Sequence, residues 1–385
     1  MEPLTPGDAN GNVSLRAAIM QANANAIGGG VGGSRWEIAF DPALFVGPNG
    51  GQQPATITIT NGPLQTFDTW INLIGPGKTL LSISGNQTTR VFKIGAESVS
   101  SIVDLTIRDG YAAPNNGGGI ENLGVLTLER AKITNCIAVE GGAIANINLL
   151  TVRDSEITAN QAITVQGAAG SFGGGIATSS VGETFIVNSF IVGNSAMTRG
   201  GGISLRDTAS KVTVSGTMIE SNNANSGGGV YNSGGTFSMS TGALFLNTAA
   251  TDGAGIETGG TTSLTNVTIR QNTATNRAGG IHHEGGSLTV SGGLLEDNRA
   301  KNGGGVYQQG GTATYQNLTF TDNKATEWGG GYYITGVSVT FTTVTFSLNQ
   351  ATLGGAKIAK KNTPQINIDL DCIGLAITDI EVDTR

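Results

Sequence analysis

Apolar residues in the second half of the chain come in short runs of alternating pattern, punctuated by glycine. The stretch Ala278–Ala300 holds three such runs: Gly280-Ile281-His282-His283, Leu288-Thr289-Val290 and Leu294-Leu295-Glu296-Asp297. Each run is too short for a helix and reads as a strand. The same three runs recur from Gly303 to Ala325 and from Gly329 to Ala351. An asparagine marks the period: Asn135, Asn160, Asn194, Asn222, Asn247, Asn272, Asn298, Asn323 and Asn349, at gaps of 25, 34, 28, 25, 25, 26, 25 and 26 residues. A unit this small cannot bury its own apolar face, whereas stacked copies bury a continuous column. The predicted fold is therefore all-β. It is a right-handed, single-stranded parallel β-helix with three strands per coil and neighbouring coils about 4.8 Å apart.

Counting back from each asparagine assigns side chains to rows. Three positions earlier stand Ile157, Ile191, Ile219, Leu244, Ile269, Leu295, Phe320 and Phe346, which are expected to point inward and stack. Nine positions earlier stand Thr151, Thr213, Ser238, Ser263, Thr289, Thr314 and Thr340, flanked by apolar neighbours and so expected to face solvent. The asparagines fall where a strand turns. Their amides carry both donors and an acceptor and are expected to bond along the axis as a ladder, in the left-handed backbone a tight corner needs. The glycine clusters, such as Gly303–Gly305 and Gly329–Gly331, read as positive-φ corners. They lack the Lys-Ser/Thr of a phosphate-binding loop.

One helix is expected, over residues 14–26, with Ser14 as N-cap and Leu15, Ile19, Ala22 and Ala26 as its apolar stripe. It divides the chain into an N-terminal cap over 1–36, a β-helix over 37–358 that is regular from about residue 98, and a capping segment over 359–385. A helix there covers the open first coil against edge pairing. Val103–Gly110 already fits the repeat, with Gly110 where asparagine would stand.

Composition narrows the function. Glycine contributes 61 of 385 residues, charged residues only 13%, and the net charge is −7. That balance argues against nucleic acid as a partner. No apolar run approaches the roughly 18 residues that cross a bilayer, so membrane insertion is not expected. Cys136 and Cys372 are about nine repeats apart, too distant to bridge in a stack.

The segment Val13-Ser14-Leu15-Arg16-Ala17-Ala18-Ile19-Met20-Gln21-Ala22-Asn23-Ala24 resembles the N-terminal signature of CSLREA-domain proteins, with Val13 at the usual leading Cys. The likeness continues through Ile38–Phe45, Ile74–Gly77 and Leu81–Asn86. The later coils are similar to repeats of the polymorphic outer-membrane proteins, which are autotransported adhesins. The resemblance implies a bacterial protein at the cell surface or outside the cell, and it brings no catalytic residues to transfer.

Several constellations carry candidate chemistry. Asp297 and Asp322 stand just before the asparagines of adjacent coils, with Glu296 beside them, and would form the carboxylate pair of a glycoside hydrolase or polysaccharide lyase. Tyr231, Glu257, His282, Tyr307 and Tyr333 each follow a Gly-Gly-Ile-type step. They are expected to form one exposed stripe suited to sugar faces. Asp369 and Asp371 in the acidic tail are the candidate calcium ligands, and no other cofactor is expected. The function these features favour is a structural or adhesive solenoid that presents long faces to a glycan or surface protein. The alternatives are a β-helix polysaccharide lyase or glycosidase, an ice-binding protein using the threonine row, and a filament built by head-to-tail self-association.

Overall fold

The computed structural model describes residues 13–26, 35–361, 365–368 and 380–382. It is a parallel β-solenoid of about 12 turns. In the coil dissected above, Ile281–His283, Ser287–Glu296 and Arg299–Ala300 are strands of three different sheets. Among the described residues these sheets contain 13, 19 and 9 strands respectively. Each strand pairs in parallel with its counterpart in the next coil: Ile281 with Val306, Leu288 with Ala313, Arg299 with Lys324. Among the described residues, no helix is long and apolar enough to cross a membrane.

Three columns of left-handed residues turn the chain. One runs through Arg130, Asp154, Asn188, Gly216, Thr241, Asn266, Gly292, Asn317 and Thr343, and breaks the largest sheet into two facets. The second is Asp109, Asn135, Ala159, Gly193, Ser221, Leu246, Gln271, Asp297, Asp322 and Leu348. The third consists of the glycine three residues before each strand of the 13-stranded sheet, from Gly117 to Gly355, with Ala278 (φ 53°) substituting in one coil. The later glycines of a cluster serve a different end. A Cβ on Gly305 would lie 2.5 Å from the Gly331 carbonyl oxygen, so only hydrogen lets the coils approach.

The inward rows are buried as expected. Ile157, Ile191, Ile219, Leu244, Ile269, Leu295, Phe320 and Phe346 are all fully or almost fully buried, and the Phe320 and Phe346 rings stack at 4.6 Å. Burying such side chains contributes roughly 1.5–3 kcal/mol each. The asparagine ladder is also present, in a corrected register. Asn160, Asn194, Asn222, Asn247, Asn272, Asn298, Asn323 and Asn349 are buried. Each of the first seven donates from Nδ2 to the Oδ1 of the next, at 2.9–3.1 Å.

Asn135 is not a rung. It is exposed, with φ 56°, in the left-handed column. The rung position belongs to Cys136, whose backbone N–H donates to Asn160 Oδ1 at 3.0 Å and whose Sγ accepts from Gly110 N at 3.4 Å. The spacing from the inward row decides this, since Ile133 plus three is Cys136. The expectation that the ladder asparagines themselves adopt left-handed backbone is likewise corrected. The residue before each rung takes that conformation, and the rung points its amide inward.

The helix spans Leu15–Ala26, capped by Ser14 Oγ accepting from Ala17 N. It docks through Arg16 on the Gly62 and Pro63 carbonyls and through Asn23 on Gln65 and Phe67. At the other end, Ile358–Lys361, Gln365–Ile368 and Ile380–Val382 continue the parallel pairing. Asp369, Asp371 and Cys372 lie outside the described residues.

Candidate functional site

The stripe residues do share one row: Tyr231, Glu257, His282, Tyr307 and Tyr333 are successive register partners. They are not exposed. Tyr231, Glu257, His282 and Tyr333 are 5%, 3%, 0% and 3% accessible, and Tyr307 is half-buried. The third left-handed column, glycine in most coils and Ala278 in the coil of His282, explains this correction. Each of its residues folds the preceding segment back over the outer face, so a Cβ on Gly253 would lie 2.8 Å from Glu257 Cβ and one on Gly303 2.9 Å from Tyr307 Cβ. The covering segment carries Arg199, Asp252, Arg277, Asn302 and Trp328. Arg199 Nη1 donates to the Tyr231 hydroxyl at 2.5 Å, and the Arg277 guanidinium sits 5.2 Å above the Tyr307 ring. Tyr307 stacks on Tyr333 at 4.8 Å and meets the His282 ring edge-on at 5.5 Å.

Within this covered row, three groups converge. Glu257, His282 and Glu284 place one ligand-capable atom each within 4.8 Å of one another. Glu257 Oε2 and both ring nitrogens of His282 meet no hydrogen-bond partner. Burial pushes the Glu257 carboxyl up to about 8, helped by the Glu284 charge and opposed by the Ser226 hydroxyl. Burial pushes the His282 imidazole down to about 3, helped by the charges of Arg277 and His283. His283 faces the other way, in register with Thr258 and Gln308, and burial lowers it to about 4 against the opposing Gly285 backbone.

Asp297 and Asp322 occupy adjacent corners, at φ 47° and 53°. Asp297 is ion-paired to Arg299 at 3.0 Å and lies 3.7 Å from Lys324 Nζ. Glu296 lies in a separate row, between Arg270 and Thr321. The structure thus places these carboxylates on a mixed-charge corner.

The outward threonine row proves to be one column of a wider grid. In five consecutive coils the long strand turns three side chains outward: Thr236, Ser238, Ser240; Thr261, Ser263, Thr265; Ser287, Thr289, Ser291; Thr312, Thr314, Gln316; Ser338, Thr340, Thr342. Every position carries a hydroxyl except Gln316, whose amide donates to Ser291 Oγ at 2.9 Å. No charge interrupts the grid. Inward partners such as Phe237, Leu264, Val290, Tyr315 and Phe341 are buried. Strict alternation on a straight strand is what sets this outer face. The same alternation along each strand places the flanking columns beside the middle one, two residues to either side. Nearer the N-terminus the same columns carry Val125, Leu149, Phe185 and Glu183, so the grid is confined to the later coils. No family model, no curated protein and no solved structure matches the chain.

Proposed function

We propose that this chain is a structural or adhesive solenoid, displayed outside the cell, that presents its hydroxyl grid to a glycan or a surface protein. The grid's regularity carries this reading. Three aligned columns of short, uncharged hydroxyls repeat about every 4.8 Å along the axis, the spacing of paired strands. Short side chains on a paired backbone lose little conformational entropy on binding, which favours contact with an extended, hydroxyl-rich partner. The asparagine ladder and the stacked core stiffen the support beneath it.

Retention of the protein on glycan arrays, insoluble polysaccharides and whole cells tests the reading. A Thr289→Tyr variant places bulk at the centre of the grid, on the solvent side, and is expected to weaken binding at least tenfold while the protein still folds. Binding that survives this variant unchanged would refute the assignment of the face. The same periodicity favours a second reading, adsorption to ice through regularly spaced hydroxyls. Thermal hysteresis that Thr289→Tyr abolishes, without glycan or cell retention, would select it.

A further inference from the structure

We propose that Glu257, His282 and Glu284 form a binding site for one divalent transition-metal ion of the zinc class, tying two adjacent coils together beneath the covering segment. Glu257 and His282 are direct register partners in neighbouring coils, and Glu284 lies two residues beyond His282 on the same strand exit. His282 Nδ1 stands 4.0 Å from Glu284 Oε1, and all three ligand atoms lie within 4.8 Å of one another.

The burial pattern points to a ligand. His282 is 0% and Glu257 3% accessible, yet both imidazole nitrogens and Glu257 Oε2 have no partner. A buried polar group without a partner is costly, and three such atoms side by side are rare in a native fold. One cation bonded to all three groups removes that cost at Glu257 Oε2 and at one of the two imidazole nitrogens. Two carboxylates and a neutral imidazole also match a divalent charge. The mixed nitrogen and oxygen donors suit zinc, whereas calcium and magnesium prefer oxygen throughout. Bonds of about 2.0–2.2 Å put tetrahedral ligand atoms roughly 3.4 Å apart. Contracting the present arrangement falls mainly to Glu284, the exposed member of the three. Its exposure leaves water access to the fourth position. The nearby Arg277 guanidinium is engaged elsewhere, donating to Gln309 Oε1 at 2.7 Å and lying over Tyr307.

The test uses the full chain without a histidine tag, stripped with chelator and titrated with zinc by calorimetry. Cobalt substitution supplies a visible d–d spectrum as an independent readout of geometry. One-to-one uptake, a raised melting temperature and a tetrahedral cobalt spectrum are expected. Glu284→Ala, at an exposed position, is expected to weaken uptake at least tenfold, and Glu257→Gln to abolish it. No uptake at millimolar zinc would overturn the proposal. Uptake unchanged in Glu284→Ala would overturn it too, and this variant decides even if Glu257→Gln fails to fold. Equal competition by calcium would overturn the assignment to a transition metal.

Discussion

Truncating a central rung, Asn272→Ala, is the sharpest test of what holds the coils in register. Asn272 Nδ2 donates to the Leu244 carbonyl and to Asn298 Oδ1, both at 3.0 Å. Its Oδ1 accepts from Asn247 N at 2.9 Å and Asn247 Nδ2 at 3.0 Å. The variant removes these four bonds. Asn298 Oδ1 keeps one donor, the Asn272 backbone N–H at 3.1 Å, but the Leu244 carbonyl and the Asn247 N–H lose their side-chain partner in a fully buried setting. At a net ~0.5–1.5 kcal/mol per bond, the loss is about 2–6 kcal/mol, and the buried orphan groups keep it from falling below the midpoint, about 4 kcal/mol. A solenoid opens coil by coil, so a single global midpoint is a poor gauge. Hydrogen exchange of the Asn247 amide reads the local cost directly. A loss of about 4 kcal/mol corresponds to exchange faster by two to three orders of magnitude. The exposed Asn135→Ala serves as control and is expected to cost only about 1–2 kcal/mol, from the left-handed backbone. Exchange at Asn247 within tenfold of wild type, or equal effects at 135 and 272, would refute the ladder as a main source of stability.

Three further outcomes follow from the same geometry. Cys136→Asn adds a rung whose Oδ1 accepts from Gly110 N and whose Nδ2 reaches Asn160 Oδ1; it is expected to stabilise the early coils by about 1 kcal/mol in urea unfolding, and destabilisation would contradict the corrected register. Ala278→Gly relieves the left-handed strain of φ 53° in a column otherwise made of glycine; a gain of about 0.5–1 kcal/mol is expected, read as a rise in melting temperature. Stability of metal-free protein is expected to peak near pH 6.5. His282 and His283, lowered to about 3 and 4 by burial, take up protons more readily when unfolded, so stability falls as pH drops below about 6.5. Glu257, raised to about 8, holds its proton longer when folded, so its contribution falls as pH rises from about 4.5 to 8. Between 4.5 and 6.5 the two histidines outweigh the one carboxyl. Glu257→Gln is expected to remove the alkaline limb, and melting curves across this range check both limbs.

Much of this fold is legible in the residue order because each coil repeats the same decisions. The spacing from Ile269 to Asn272, repeated as Leu295 to Asn298, fixes both an inward side chain and a rung. Applied strictly, it also excludes Asn135 and selects Cys136. The covered row was harder to read. Alternation correctly puts His282 on the face opposite Ile281, but exposure depends on what lies over that face. The cover comes from the turn at the left-handed residue four positions earlier, Ala278 before His282 and Gly303 before Tyr307, which brings Arg277 or Asn302 back across it. A period of two describes a strand, not its neighbours. The convergence of Glu284 with Glu257 was invisible for a related reason, since it needs the register between coils and the bend after His283 together.

The cysteine in the ladder row gives the molecule a built-in timer. Cys136 is fully buried, and burial pushes its thiol up to about 12, with the Gly110 backbone opposing and Asp109 assisting. In the closed coil there is neither thiolate to react nor a path for a reagent. Alkylation at this residue therefore proceeds only when the coil opens, and its rate, assigned by peptide mass, counts those openings one at a time. The residue at the head of the row of amides thus reports how often that end of the row comes apart.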